Sequence, residues 1–181
     1  MFNADQKTLQ RLAPHLARVL IIDPVPFAAR LLGDLMKEMG ARDIATATRG
    51  DRAAELVREY EPQLIFTEFA GEGLDGLDFT IKLRRSALAA RQAPVIMVTT
   101  EATAASIVSA RNSGVHEFLR KPYTAGDLFR RVDNVMMKPR PWIEAVMYVG
   151  PDRRRFNSGE FTGSKKRRSD AFKPAFAGKA G

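Results

Sequence analysis

The chain has no cysteine among its 181 residues, which excludes disulfide bonds and thiol chemistry. The two histidines, His15 and His116, are isolated in the sequence, and since a lone histidine is usually structural, we assign no metal to either. No apolar run approaches the roughly 20 residues of a membrane span, and the first residues lack the layout of a secretion signal. These absences predict a cytoplasmic protein.

Positive charge, in contrast, is abundant near the C-terminus. The formal net charge is +8, and residues 138–181 carry eleven Lys/Arg against four Asp/Glu, whereas residues 1–137 are nearly neutral. The same last quarter holds six of the fifteen aromatic residues, more than a purely solvating tail usually has. We therefore expect this tail to bind an anionic partner and to become ordered on it.

The rest of the chain alternates between strand-like and helix-like segments. Strands are predicted at residues 17–23, 43–48, 63–68, 93–100 and 115–121. Helices are predicted at residues 26–40, 52–61, 77–88, 103–114 and 124–137. This alternation predicts an α/β fold, a five-stranded parallel sheet covered by helices on both faces, with its functional edge at the carboxyl ends of the strands. An N-terminal extension, residues 1–16, precedes this domain of residues 17–137, and a flexible basic tail, residues 138–181, follows it.

Polar side chains stand where the predicted strands end. Asp23 ends the first strand, Glu68 the third and Thr99 the fourth, while Lys121, followed by proline, ends the fifth. A Leu-Asp-Gly sequence at residues 74–76 follows the third-strand acid.

These residues, in this order, resemble the CheY-like receiver domain of response regulators over roughly residues 17–137. The resemblance implies a flavodoxin-like (βα)5 fold in which an aspartate at the end of strand three accepts a phosphoryl group. It also implies that two acids at the end of strand one help to hold Mg²⁺, that the threonine senses the phosphate and that the lysine pairs with it. Phe118 stands at the position of the family's switching aromatic residue.

The sequence departs from the family pattern at two positions. Glu68 stands at the acceptor position, and Pro24 stands where the family has its second strand-one acid. An added methylene moves the carboxylate, and a misplacement of about 1 Å can cost about 100-fold in rate. Pro24 supplies no oxygen ligand for Mg²⁺. The sequence therefore predicts a pseudo-receiver that is not an enzyme and does not use Mg²⁺.

Two residues of this degenerate site keep two interpretations each. An ion pair between Lys121 and Glu68 is either a structural brace, which we favour, or part of a preset active-like state in which glutamate mimics aspartyl phosphate. The hydroxyl of Thr99 either caps the following helix or senses a phosphate.

The basic tail contains an imperfect duplication. Residues 148–155, YVGPDRRR, align with residues 161–168, FTGSKKRR, at an offset of thirteen, and Asn157 then falls opposite Asp170. Aromatic residue, glycine and basic cluster recur in the same order, which indicates two copies of one recognition unit.

The composition of these units favours a guanine nucleotide as the ligand. Arginine forms bidentate bonds to phosphate and to guanine, aromatic rings stack on bases, and a carboxylate can accept hydrogen bonds from the Watson–Crick edge of guanine. Two units suit a two-fold symmetric dinucleotide. The candidate binding residues are Trp142, Tyr148, Gly150, Asp152, Arg153, Arg154, Arg155, Phe161, Arg167, Arg168 and Asp170.

The arm is similar to that of the Cle family of CheY-like proteins, in which an arginine-rich arm binds cyclic di-GMP and the receiver acts on the flagellar motor. The resemblance implies a non-enzymatic effector that, when loaded with cyclic di-GMP, docks on the flagellar switch or on a surface-attachment machine. Three alternatives stay open: a tail that binds nucleic acid or an anionic surface without specificity, a merely solvated tail, and a phosphorelay response regulator served by a histidine kinase.

Two further expectations concern the order of the tail. Trp142, Ile143, Val146 and Met147 form an apolar patch that we expect to dock the root of the arm on the receiver. From about residue 150 onward, like charges and few aliphatic residues cannot build a core, so we expect rapid amide exchange in the absence of ligand.

Overall fold

The structure is a computed structural model and describes residues 6–154. The strands are β1 (Arg18–Ile22), β2 (Asp43–Ala47), β3 (Leu64–Thr67), β4 (Ala70–Gly71), β5 (Leu74–Asp75), β6 (Val95–Thr99), β7 (Glu117–Arg120), β8 (Trp142–Ala145) and β9 (Tyr148–Pro151). The α-helices are α1 (Gln6–Leu12), α2 (Pro26–Glu38), α3 (Gly50–Tyr60), α4 (Gly76–Arg85), α5 (Ala104–Ser113) and α6 (Ala125–Met137). None of the helices in this part of the chain has the length and apolar character needed to cross a membrane.

Five of the strands form one parallel sheet in the order β2-β1-β3-β6-β7. The order reverses between β1 and β3, which is the flavodoxin-like arrangement, and it brings the carboxyl ends of β1, β3 and β6 to one edge. The predicted α/β fold with a five-stranded parallel sheet is confirmed, and no end of a predicted element moves by more than three residues.

The core lies on both faces of the sheet. Strands β1, β3 and β6 are almost completely buried, as their continuous apolar runs require. One hydrophobic cluster packs α2 and α6 against one face, and a second packs α3, α4 and α5 against the other. Thr124 caps the start of helix α6, and its side chain and that of Asp127 form a reciprocal capping box.

The N-terminal extension contains structure that the sequence reading did not predict. Helix α1 continues into a 3₁₀ turn, Ala13–Leu16, and the side chains of Leu12 and Leu16 are fully buried in the cluster of α2 and α6. Arg11 donates a hydrogen bond to Asp133 of α6 at 3.0 Å. The N-terminal extension therefore packs on the receiver core through Leu12 and Leu16.

The root of the tail is an antiparallel hairpin, β8–β9, in which Trp142 pairs with Pro151 and Ala145 pairs with Tyr148. At its tip, Val146 and Met147 are 94% and 87% exposed, so the predicted docking patch is wrong for these two residues. Trp142 does contact the receiver, where its ring lies beside Arg84 and Arg91. Tyr148 also docks the hairpin, because its side chain is buried and its hydroxyl donates to the Pro151 carbonyl.

The ordered backbone extends past the point where we expected rapid exchange to begin. Gly150 lies within the hairpin opposite Ile143, and the Asp152 amide donates to the Pro141 carbonyl at 2.8 Å. The hydrogen-bonded backbone of the described tail thus reaches residue 152, and rapid exchange of the residues beyond it stays a prediction.

Two glycines allow the hairpin to approach the receiver closely. Gly114, just after α5, has φ +98°, and a Cβ there would lie 2.9 Å from Cγ of Arg84. A Cβ on Gly150 would lie 3.0 Å from the Cα of Gly114. Because Gly114 precedes β7, the hairpin lies at the amino-terminal edge of the sheet.

Candidate functional site

The carboxyl ends of the strands surround a cleft of about 700 Å³. Asp23 follows β1, Glu68 follows β3 and Thr99 ends β6, so strand pairing brings these three residues of the predicted site to the cleft. Lys121 follows β7, joined to Pro122 by a cis peptide bond, and its side chain reaches back toward β1 and β3.

Lys121 bonds both carboxylates of the site. Its Nζ donates to Oδ2 of Asp23 at 2.7 Å and to Oε2 of Glu68 at 2.6 Å. Burial acts to lower the pKa of Lys121, but the hydrogen bonds and charges of Asp23 and Glu68 outweigh it, so the pKa is raised above its ordinary value. The ammonium is therefore held in its charged form between two acids.

The remaining carboxylate oxygens are bonded by backbone amides. The Val25 amide donates to Oδ1 of Asp23 at 2.9 Å, and the Phe69 amide donates to Oε1 of Glu68 at 2.8 Å. Each of the four carboxylate oxygens thus has a donor, so the polar groups of the site are satisfied by the protein itself.

These residues do not fit Mg²⁺. The ion requires a near-octahedral set of oxygen ligands, several of them usually water. Asp23 and Glu68 each give one oxygen to Lys121, and Pro24 has no side-chain oxygen. Across residues 6–154, no three His, Asp or Glu side chains group together as a metal site would need.

The loop after β3 covers Pro24. This loop forms the small hairpin β4–β5, and an added Cβ on Gly71 would lie 2.5 Å from Cγ of Pro24. The position of the family's second acid is therefore packed against backbone. The sequence analysis did not predict this contact.

The Leu-Asp-Gly sequence fixes the start of α4 beside Glu68. Asp75 caps the helix by accepting from the amides of Leu77 and Asp78 at 3.0 and 2.9 Å. A Cβ on Gly76 would lie 2.1 Å from the Glu68 carbonyl oxygen, so this close approach requires glycine.

Thr99 does not cap the following helix. Its hydroxyl accepts from the Glu101 amide at 3.0 Å, whereas the N-cap of α5 is Thr103, which accepts from the Ser106 amide at 3.1 Å. The capping interpretation of Thr99 is therefore wrong, and the hydroxyl closes a turn in the loop after β6. Phe118 lies in β7, partly buried against the core cluster of α3, α4 and α5.

The described arm residues lie together at the opposite edge of the sheet. Trp142, Tyr148 and Gly150 belong to the hairpin, and Asp152, Arg153 and Arg154 follow it. The structure separates them from the strand-end cleft by the length of the sheet. The other predicted binding residues lie outside the described residues; they are Arg155, Phe161, Arg167, Arg168 and Asp170.

Tyr148 and Arg153 contact each other at this edge. The Arg153 guanidinium lies 4.4 Å from the centre of the buried Tyr148 ring, and its Nη1 donates to Oδ1 of Asn112 at 3.0 Å. In this arrangement Tyr148 anchors the hairpin and offers no free face to a base, contrary to the predicted stacking role. Asp152 accepts from the Arg154 amide at 3.0 Å, and the Arg154 side chain is exposed.

Arg84, which the sequence analysis did not predict, links α4 to two neighbouring segments of the receiver at this edge. Its fully buried guanidinium donates to the carbonyls of Gly114, Arg91 and Ala93 at 3.0, 2.6 and 2.9 Å. It also lies 5.5 Å from the centre of the Trp142 ring. Burial lowers the pKa of Arg84 to about 9, which leaves it charged at neutral pH. The sequence alone does not reveal this role, because the inward position of Thr80 and Arg84 on α4 is apparent only from the structure.

His116 is a structural residue of the same edge. Its Nδ1 accepts from the Val95 amide at 3.2 Å and lies 3.3 Å from Arg84 Nη2. Burial, followed by the charges of Arg84 and Arg140, holds the pKa of His116 well below its ordinary value. A neutral ring with an unprotonated Nδ1 matches these two donors.

Comparison with known proteins agrees with this geometry. The family model described as "Response regulator receiver domain" matches residues 19–133. The chain is 26% identical over 118 residues to chemotaxis protein CheY-3 of Vibrio cholerae, covering 65% of this chain and 90% of that protein. It is also 26% identical over 118 residues to chemotaxis protein CheY of Pseudomonas aeruginosa, covering 65% of this chain and 94% of that one.

Solved structures show the same fold. A two-component response regulator from Clostridium difficile superposes with a TM-score of 0.61 at 26% identity, covering 67% of this chain and 97% of that one. The CheY4 chemotaxis protein of Vibrio cholerae superposes with a TM-score of 0.62 at 20% identity, covering 67% of this chain and 99% of that one. The family match ends before the hairpin β8–β9 begins.

Proposed function

The chain belongs to the response regulator receiver domain family, and from that premise we propose that it is a CheY-like effector that binds cyclic di-GMP through its C-terminal arm. It is not an enzyme and does not use Mg²⁺, and its output is docking on a protein partner. Because relatives of the receiver are named chemotaxis proteins, the flagellar motor switch or a related surface machine is the partner we propose.

The observation that carries this proposal is the fixed root of the arginine-rich arm. Tyr148 and Gly150 hold the hairpin against the receiver, so Asp152, Arg153 and Arg154 leave the body from a defined place. Cationic side chains with a neighbouring carboxylate at a fixed position suit a guanine nucleotide with phosphates. A second basic cluster follows in residues 165–168.

The strand-end site supports an input other than phosphorylation. Lys121 already bonds Asp23 and Glu68, and Pro24 is packed under the β4–β5 hairpin. In-line phosphoryl transfer depends on a placed acceptor and a metal bridging the phosphate oxygens, and these residues provide neither.

The alternative is a phosphorelay response regulator, favoured by the presence of Asp23, Thr99 and Lys121 at the family's positions. Incubation with acetyl phosphate and Mg²⁺, followed by mass spectrometry of the intact protein, separates the two. We expect no phosphoryl adduct on the native chain. A stoichiometric adduct on Glu68 would contradict the pseudo-receiver proposal. The Pro24→Asp/Glu68→Asp variant tests whether these two residues are the cause.

Asp152 distinguishes a guanine-reading arm from a general anion trap. Asp152→Asn removes a negative charge, so it should strengthen the binding of a short RNA, and that binding should fall steeply with salt. If the carboxylate accepts from a guanine edge, the same change should weaken cyclic di-GMP binding about tenfold, the size of one lost hydrogen bond to a charged group. Binding of both ligands is measured by calorimetry. If Asp152→Asn binds both the RNA and cyclic di-GMP more tightly, the arm binds anions without reading guanine.

A further inference from the structure

A small cavity of about 200 Å³ lies between the arm, α5 and β7. Arg111 of α5, Arg140 of the segment before the hairpin and Arg153 of the arm line it. Its volume corresponds to about seven water molecules at roughly 30 Å³ each, which is room for one phosphate group with its remaining hydration.

The charge of this cavity is positive. Glu117, the carboxylate among its lining residues, is buried and accepts from Arg131 at 3.0 Å, Arg140 at 3.2 Å and Asn134 at 2.6 Å. Two guanidinium groups thus already neutralise its single charge. Arg111 and Arg153 add two more positive charges beside it.

Arg111 is available to a ligand. Its side chain is exposed in the last turn of α5, and within residues 6–154 no carboxylate lies at ion-pair distance from it. The negative end of the helix dipole favours a cation there, which keeps the guanidinium beside the cavity. Asn112, the next residue, accepts from Nη1 of Arg153, so the arm is held over the same helix turn.

We propose that Arg111 completes the binding site of the arm, and that a phosphate diester of the bound dinucleotide lies between Arg111 and Arg153. This inference rests on the proposed function, because it names the residue of the receiver body that the arm's ligand would contact. Arg153 keeps further N–H donors for the phosphate while Nη1 remains on Asn112. The ligand then bridges the arm and the body.

The same cavity gives the ligand a route to the receiver. Phe118 and Glu117 both line it, and both belong to β7. An anion bound in this cavity lies beside Glu117 and Phe118, the first residues of β7. Phe118 stands at the family's switching position, and the other end of β7 leads directly to Lys121.

Calorimetric titration with cyclic di-GMP tests whether Arg111 contacts the ligand. The titration compares the full-length Arg111→Ala and Arg58→Ala variants. Arg58 is the matched control, because it is an exposed arginine in the last turn of α3 and its loss changes the net charge equally. Arg111→Ala should weaken binding about tenfold or more, as expected for one lost charge-assisted contact, while Arg58→Ala should stay within about twofold. Because both side chains are exposed, the melting temperature should not change.

A second readout tests the contact with β7. On addition of cyclic di-GMP, the backbone amide resonance of Phe118 should shift in the native chain and in Arg58→Ala, and should shift much less in Arg111→Ala. If the native chain binds cyclic di-GMP and Arg111→Ala binds equally well, this inference is wrong while the proposed function stands. If the native chain does not bind, both fail.

Discussion

Lys121 is the residue on which the strand-end site depends. Its ammonium lies between the carboxylates of Asp23 and Glu68, which would otherwise face each other as two partly buried like charges. The family's lysine pairs with a phosphate, whereas here it is paired within the protein. The contacts of Lys121 with Asp23 and Glu68 are consistent with a structural brace.

We expect Lys121→Met to destabilise the fold by about 1–3 kcal/mol, because it leaves two carboxylates without their shared cation. Lys121→Met combined with Glu68→Gln should recover part of the loss. Urea unfolding measures both. The control is Lys82→Met, since Lys82 bonds Asp78 at 2.6 Å but at the surface, and its unfolding midpoint should hardly change. Equal effects of the two lysine variants would contradict the brace.

The pH dependence of the Lys121 contribution has a defined sign. Since the pKa of Lys121 is raised in the folded state, the stabilisation is complete below the ordinary lysine pKa of about 10.4 and is lost as the pH rises through the folded value. The stability difference between the native chain and Lys121→Met should therefore be constant below about pH 10 and shrink as the pH rises above the ordinary lysine pKa. A difference that grew over this range would contradict the arrangement.

The sequence predicted this group of residues because parallel strands end at one edge of the sheet. Asp23, Glu68, Thr99 and Lys121 needed only correct strand boundaries to be brought together. Arg84 could not be assigned in the same way. A charged residue in a helix is normally placed on the solvent side, and its carbonyl acceptors come from segments that follow the helix and have no pattern of their own.

At the scale of elements, the hairpin β8–β9 anchors the first residues of the tail to the receiver. The sequence did not predict it, because its two-residue tip, Val146 and Met147, lacks the glycine, asparagine or aspartate that favours tight hairpin turns. Helix α1 was missed because it has only seven residues, and a helix this short depends on packing rather than on its own propensity. The longer helices and the buried strands, in contrast, carried clear periodicity.

We expect Gly150→Ala to detach the hairpin. The new Cβ would lie 2.7 Å from the Tyr148 hydroxyl and 3.0 Å from the Gly114 Cα, so the ring or the hairpin must move. Amide exchange in residues 142–152 should accelerate, whereas exchange in the sheet should not change. The control is Gly126→Ala in α6, where the new Cβ meets nothing closer than 3.7 Å. Protected hairpin amides in Gly150→Ala would contradict the proposed anchor.

At the scale of the whole molecule, the two functional regions lie at opposite edges of one sheet. The satisfied strand-end site is at the carboxyl edge, and the arm leaves from the amino edge. Strand β7 connects them, since Glu117 lies beside the arm and Lys121 lies just past the other end of the strand. This arrangement is what our proposal requires, with a signal entering at the arm and presented on the surface around β7.

The nucleotide ligand of the arm stays a prediction from the sequence, and the sequence did not predict how the arm is attached to the receiver. The aromatic, glycine and basic pattern of residues 148–155 indicated a nucleotide site, and the pattern itself gave no sign that Tyr148 would be buried or that Arg153 would bond Asn112. Those contacts join residues far apart in the chain, and local patterns do not encode them.

Calorimetric titration of the full-length chain with cyclic di-GMP, with GTP and a short RNA as controls at about 0.15 M salt, tests the central claim most directly. We expect saturable binding of cyclic di-GMP at least about tenfold tighter than that of either control, because paired arginines and a carboxylate recognise guanine and phosphate together. Absence of cyclic di-GMP binding, or equal affinity for all three ligands, would contradict the claim.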